Sequence, residues 1–134
     1  LILICSIKMT TYQANNYVQV GNGSVDTGSN YSNTLLYGNG SSANAYRNSN
    51  QTQATVGESG STNFDVTIVN FQNYSNTTTY KTFLSRYSSN SIPRAAAWVS
   101  LWRSTSAINT IKIFHDFDNF ASGSTFTLYG ITAA

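Results

Sequence analysis

Leu101-Trp102-Arg103-Ser104-Thr105-Ser106-Ala107-Ile108-Asn109-Thr110-Ile111-Lys112-Ile113-Phe114, then Asn119-Phe120-Ala121-Ser122-Gly123-Ser124-Thr125-Phe126-Thr127-Leu128-Tyr129-Gly130-Ile131, is the stretch that decides the fold. Its apolar residues recur with a period near two rather than 3.6, so they line faces of strands and not of a helix. Gly123 and its polar neighbours separate the runs as a turn does. The pattern predicts two strands joined as a closing hairpin, with the last strand completing the core of an all-β domain.

The same period extends back to residue 1. Leu1, Leu3, Cys5, Ile7 and Met9 share one strand face, with Ile2 and Ile4 opposite. Short strands are expected at Tyr17–Val20, ended by Gly21-Asn22-Gly23, and at Thr34–Tyr37, ended by Gly38-Asn39-Gly40. Gln51–Val56 is a weaker candidate within residues 21–61, a Gly-, Ser- and Asn-rich stretch too long for a plain loop. Asn63–Phe71 places Phe64, Val66 and Ile68 on one face, and Thr79–Tyr87 places Phe83 and Tyr87 opposite Leu84. A Ser88–Pro93 loop leads to Ala95–Arg103, Ile108–His115 and Ser124–Ile131. The expected architecture is an antiparallel, jelly-roll-like β-sandwich of about eight strands, a single domain over residues 1–134. The chain begins without Met and in mid-strand, which reads as the C-terminal part of a longer polypeptide.

Composition supports strands over helices. Only 9% of the residues are charged, against about 25% in an ordinary globular protein. Asn, Ser and Thr number 16, 19 and 17, and Glu occurs once, at Glu58. Thr favours strands, and Asn and Ser favour turns. Aromatics at 13% and a net charge of +2 exclude the composition of a disordered chain. Seven bases against five acids give too small an excess for a phosphate-binding patch, so no nucleic-acid partner is expected. The Leu1–Cys5 run is too short to insert in a membrane and has no basic flank. Cys5 is the only cysteine and reads as a small buried hydrophobe.

Little in the chain suggests catalysis. His115-Asp116-Phe117-Asp118 is the densest group of titratable residues. A metal needs three or more ligands, so a strand running into a solvated turn is the better reading, and no metal or cofactor is expected. No nucleophile elbow is present. Asp26, Glu58, Asp65, Asp116 and Asp118 could supply the carboxylate pair of a glycosidase, but their spacing does not point to one. The Asn-x-Ser/Thr triplets arise by chance in such a composition.

Nine tyrosines among Asn and Ser leave two readings open. They edge the sandwich core, or they offer rigid apolar area with adaptable hydrogen bonding, suited to stacking on a sugar. The candidate recognition residues are Tyr31, Tyr37, Tyr46, Asn30 and Asn39, in loops between 21 and 61. Trp98 and Trp102, four apart on a strand, face the same way and are expected as core or subunit-contact anchors.

The closing run resembles a C-terminal domain of structural proteins of tailed bacteriophages, of tail-fibre, spike or head-decoration type. The likeness lies in Trp102-Arg103-Ser104-Thr105, in Ile108 and Ile111, in Gly123-Ser124 through Phe126 to Leu128-Tyr129-Gly130-Ile131, and in Asp26-Thr27-Gly28-Ser29-Asn30-Tyr31. The first strand departs from it, with Leu1–Cys5 where that family usually carries His and Arg. The resemblance implies a virion-surface β-sandwich, assembled as a homotrimer with other virion proteins and without catalytic residues. Host-surface carbohydrate is the further partner considered. The alternative is a stand-alone carbohydrate-binding jelly roll or a carbohydrate-active enzyme.

Overall fold

A computed structural model describes residues 1–90 and 93–131. Ser91 and Ile92 of the expected Ser88–Pro93 loop lie outside the described residues. Among the described residues there is no helix, and eleven strands follow in order: β1 (Ile2–Ile7), β2 (Ala14–Asn22), β3 (Ser24–Val25), β4 (Tyr31–Gly38), β5 (Ala43–Gln51), β6 (Ala54–Ser59), β7 (Asp65–Phe71), β8 (Lys81–Ser89), β9 (Arg94–Trp102), β10 (Thr110–Phe114) and β11 (Thr125–Tyr129). All pairings are antiparallel. Seven strands form one sheet in the order β11-β1-β7-β8-β9-β4-β5. In the second sheet β2 lies between β10 and β6, with the two-residue β3 folded back on its end.

The two sheets pack as a β-sandwich, as the alternating pattern predicts. Leu3, Cys5, Ile7 and Met9 point inward from the start of the chain. They meet Val18, Val20 and Val56 of the small sheet and Val69, Phe71, Phe83 and Trp102 of the large one. Each such side chain, fully buried, stabilises the fold by roughly 1.5–3 kcal/mol. Phe71 and Phe83 meet edge to face with centroids 5.0 Å apart. Cys5 is completely buried, and burial pushes its thiol up to about 12. It behaves as the apolar residue its position suggests.

A buried polar bridge fixes β6 on the large sheet. The Thr55 N–H donates to Asn33 Oδ1 at 3.1 Å, and Asn33 Nδ2 donates to the Gln53 carbonyl at 3.2 Å. Ser100 Oγ lies 2.8 Å from Asn33 Oδ1 and 3.0 Å from the Thr55 carbonyl. These side chains satisfy the edge of β6 that β2 does not cover.

Three expectations need correction. First, β10 and β11 are not a hairpin. β10 pairs with β2 in the small sheet, β11 pairs with β1 in the large one, and residues 115–124 cross between the sheets. β11 is exposed along its whole length, so the last strand forms a sheet edge and does not complete the core. Second, Phe64, Val66 and Ile68 do share a face, but it is the outer one. Asp65, Thr67, Val69 and Phe71 point inward. Asp65 tolerates this because its carboxylate accepts from the Gly60 and Asn90 amides at 2.8 and 2.9 Å. Third, residues 43–51 are a nine-residue strand, not a loop. This β5 is polar because it is an outer strand with both faces wet, so it carries no alternation to read.

Candidate functional site

Two of the segments quoted for the resemblance, Asp26–Tyr31 and Trp102–Arg103, meet in space. Asp26 Oδ2 accepts from Trp102 Nε1 at 2.8 Å and from Asn30 Nδ2 at 2.9 Å, while Oδ1 accepts from the Gly28 amide at 2.8 Å. Burial alone raises the Asp26 pKa. The hydrogen bonds from Trp102, Asn30 and Gly28 outweigh it and hold the carboxyl below its ordinary value. The Arg103 amide donates to the Asn30 carbonyl, and its guanidinium reaches the Ser29 carbonyl, Ser32 and Asn50. The Tyr31 hydroxyl donates to the Val20 or Asp26 carbonyl, each at 3.1 Å, and accepts from the Val20 amide at 3.0 Å. Burial pushes it up to about 12. The Asp26–Tyr31 and Trp102–Arg103 segments thus form a structural clamp, and every polar group named in it is used inside the chain.

Several candidate residues are therefore relocated. Tyr31 lies in β4 and is fully buried, so it presents nothing to a ligand. Asn30 serves the clamp. Asn39 closes the β4–β5 turn, its Oδ1 accepting from the Ser41 and Ser42 amides at 3.0 and 2.9 Å. Trp98 and Trp102 do face the same way, but inward: 1% and 3% of each is exposed, too little for a subunit contact.

Tyr37 and Tyr46 come together at one corner of the sandwich, where the small sheet leaves the inner face of β5 uncovered. Tyr46 stands edge-on to Trp98 with centroids 5.6 Å apart and remains 44% exposed. The Arg94 guanidinium lies 4.8 Å from the Tyr37 ring centre and pairs with Glu58 at 3.1 Å. Burial raises the Glu58 carboxyl, and the Arg94 charge opposes that rise. Tyr87 is raised strongly, first by burial and then by the Glu58 charge. Its hydroxyl and the Trp98 Nε1 are buried without a hydrogen-bond partner among the described residues. The corner combines two accessible phenol rings with a guanidinium and a carboxylate, which is chemistry for stacking on and hydrogen-bonding a polyol. Sequence reasoning named Glu58 only among the scattered carboxylates and missed its pairing with Arg94, because nothing local links residues 36 apart.

The carboxylates do not gather. Asp26, Asp65 and Glu58 are engaged as described. Asp118 accepts from the Thr10 hydroxyl and from the amides of Thr11, Tyr12 and Asn119. These bonds, the Thr10 one foremost, hold it far below the usual carboxylate range. Among the described residues no three His, Cys, Asp or Glu side chains lie close enough to hold a metal ion.

The outer face of the large sheet is the most unusual surface. Its register sets Ile4, Ile68, Arg86, Ala97, Leu36 and Ala45 side by side across six strands. A parallel row on one side carries Leu84 and Val99, and the row on the other side carries Val66. Leu36 is 60% and Val99 50% exposed. Leu36, Gly38, Ala43, Arg86, Ala95 and Ala97 line a shallow hollow of about 510 Å³. Arg86 and Arg47 are the charges on this face, and no carboxylate lies among its strand residues. Strands about 4.8 Å apart and roughly 22 Å long give a seven-strand face of about 650 Å². A signal for it stood in the sequence: Ile4, Leu84 and Ile68 are apolar in the strand phase opposite to the core. Among the described residues no helix is long and apolar enough to cross a membrane.

Set against protein-family models, curated proteins and solved structures, the chain finds no match.

Proposed function

We propose that the chain is a structural module of a tailed-bacteriophage virion, a fibre, spike or capsid-decoration domain at the particle surface, assembled as a homotrimer with other virion proteins. The observation that carries the assembly role is the outer face of the seven-stranded sheet. Exposed apolar side chains grouped on one face, here Ile4, Leu36, Leu84, Val66 and Val99, mark an interaction surface. The whole face, polar positions included, spans about 650 Å² and approaches the roughly 800 Å² each partner gives to a standard interface. The phage context rests on the Asp26–Tyr31 and Trp102–Ile131 residues. That Asp26–Tyr31 and Trp102–Arg103 clamp one another supports reading those two segments as one fold-defining unit. A catalytic role is not part of the proposal, since four of the five carboxylates are tied to Trp102, to loop amides or to Arg94.

A second reading, contact with a host-surface glycan, is favoured by the Tyr37–Tyr46 corner beside Arg94 and Glu58. It is compatible with the first and is also what a stand-alone carbohydrate-binding domain would need. Mass spectrometry of purified phage particles bearing this gene tests the virion role: stoichiometric peptides are expected, and their absence from intact particles defeats it. Glycan-array binding that Tyr46→Ala abolishes supports the second reading, and an array without signal removes it.

A further inference from the structure

We propose that the Phe117 loop of one copy docks into the alanine-floored hollow on the large sheet of the next copy, with Asp116 of the loop facing Arg86 of the hollow. The proposal rests on the assembly role of that sheet face. Phe117 is 80% exposed, more than any other large apolar side chain described. Its loop is not loose: Asp118 holds the amides of Thr11 and Tyr12 at 2.7 and 2.8 Å, so the ring is presented on a fixed base. A preordered knob loses little freedom on binding.

The hollow is the matching half. Its 510 Å³ has room for a phenyl ring against Ala43, Ala95, Ala97 and Leu36. Arg86 forms its wall. Among the described residues Arg86 and Asp116 take part in no ion pair, whereas Glu58 and Arg94 are paired with each other. An aromatic ring flanked by a carboxylate therefore fits an apolar hollow flanked by a guanidinium in shape and in charge.

Topology decides who fills it. Phe117 follows β10 of the small sheet, while the hollow opens on the outside of the large one, so a chain cannot fill its own. Face-to-face pairing of two large sheets would bring Arg47 and Arg86 of both copies together with no carboxylate between them. The contact is instead heterologous, knob to hollow. Two copies joined through one such contact leave one knob and one hollow open, so assembly continues until a ring of three or more closes.

Light scattering and sedimentation velocity of the purified chain test this. The expected mass is at least three chains. Phe117→Ala and Arg86→Glu should each weaken association by about 30-fold or more, as anchor residues do. Arg86→Glu combined with Asp116→Arg should restore it. At concentrations low enough for both to be monomeric, the Phe117→Ala variant should keep the parent's unfolding midpoint, because its ring is exposed in the single chain. A monomer, a discrete dimer, or an oligomer indifferent to both single variants overturns the proposal. None of these outcomes touches the virion reading, which particle composition decides separately.

Discussion

Replacing Asp26 by Asn tests the clamp with almost no change of shape. In the wild type Oδ2 accepts two hydrogen bonds, from Trp102 Nε1 and Asn30 Nδ2, and Oδ1 accepts one from the Gly28 amide. An Asn keeps the first two only by turning its amide nitrogen toward the Gly28 N–H, donor against donor. The reverse orientation keeps Gly28 and loses the other two. The better choice loses one charge-assisted bond, worth about 1.5–3 kcal/mol, and makes the remaining two neutral. Asp26 is partly exposed, so water repairs some of the loss, and the expected destabilisation is about 2 kcal/mol at neutral pH. Asp26→Ala should cost about 3 kcal/mol, since it strands the Nε1–H of a Trp that is only 3% exposed.

The pH dependence adds a second constraint. The folded carboxyl sits below its unfolded value, so its stabilisation is present above the unfolded pKa of about 3.9 and is lost as pH falls through the folded one. The gap between wild type and Asp26→Asn should therefore narrow in acid. Urea unfolding followed by tryptophan fluorescence measures both effects. A cycle with Trp102→Phe isolates the contact, and coupling above about 0.5 kcal/mol is expected because the two residues bond directly. An Asp26→Asn variant as stable as wild type at pH 7, or strict additivity in the cycle, refutes the clamp.

Gly57→Ala should destabilise by about 1–3 kcal/mol through overpacking. Its Cβ would stand 2.6 Å from Oγ1 of the fully buried Thr67, and Thr67→Ala should recover part of the loss in the same urea titration. Cys5, raised to about 12, should react with a thiol reagent at pH 8 roughly a thousandfold more slowly in the native chain than in denaturant; fast native labelling would show that the start of β1 is not packed. Glu58 has the opposite sign to Asp26. Its folded pKa is raised, so its stabilisation is present below the unfolded value of about 4.3 and is lost as pH rises through the folded one. Glu58→Gln should flatten that loss in a series of thermal melts, and an unchanged slope would mean the carboxylate is not desolvated.

The strands were legible where one face is apolar and the other polar. Leu3, Cys5 and Ile7 announce β1, and Phe83 and Tyr87 announce β8, because the two-residue period is enforced by burial. β5 was illegible for the converse reason. Ala43–Gln51 buries almost nothing, and its strand character comes from pairing with β4, which no local pattern encodes. The supposed closing hairpin failed on long-range partners: β10 finds β2 and β11 finds β1, across most of the chain. In β7 both phases are apolar, and the tie is broken by Gly60 and Asn90 satisfying an inward Asp65. Trp102 looked like a contact anchor because its partner, Asp26, lies 76 residues away.

The division of seven strands over four explains where this molecule is left open. A small sheet cannot cover a large one, so β5 and the Tyr46 corner stay wet on the inside. Among the described residues nothing covers the outer face of the large sheet. An exposed sheet can recruit neighbours by its edges or by its face, and the chain treats the two differently. At one edge β5 carries Arg47, four Asn or Gln residues and an irregular register against β4, all features that discourage strand addition. At the other edge β11 is only five residues long. The face receives no such protection: Leu36, Val99, Leu84 and Val66 stand out of it with Arg86 as the lone charge of the central strand's outer row. Protection of the edges alongside an apolar face is the pattern expected of a module that associates side chain to side chain. Glutamate substitutions at Leu84 and Val99 should then disperse its assemblies, whereas charge added at Asn44 or Asn48, on the other side of β5, should leave them intact.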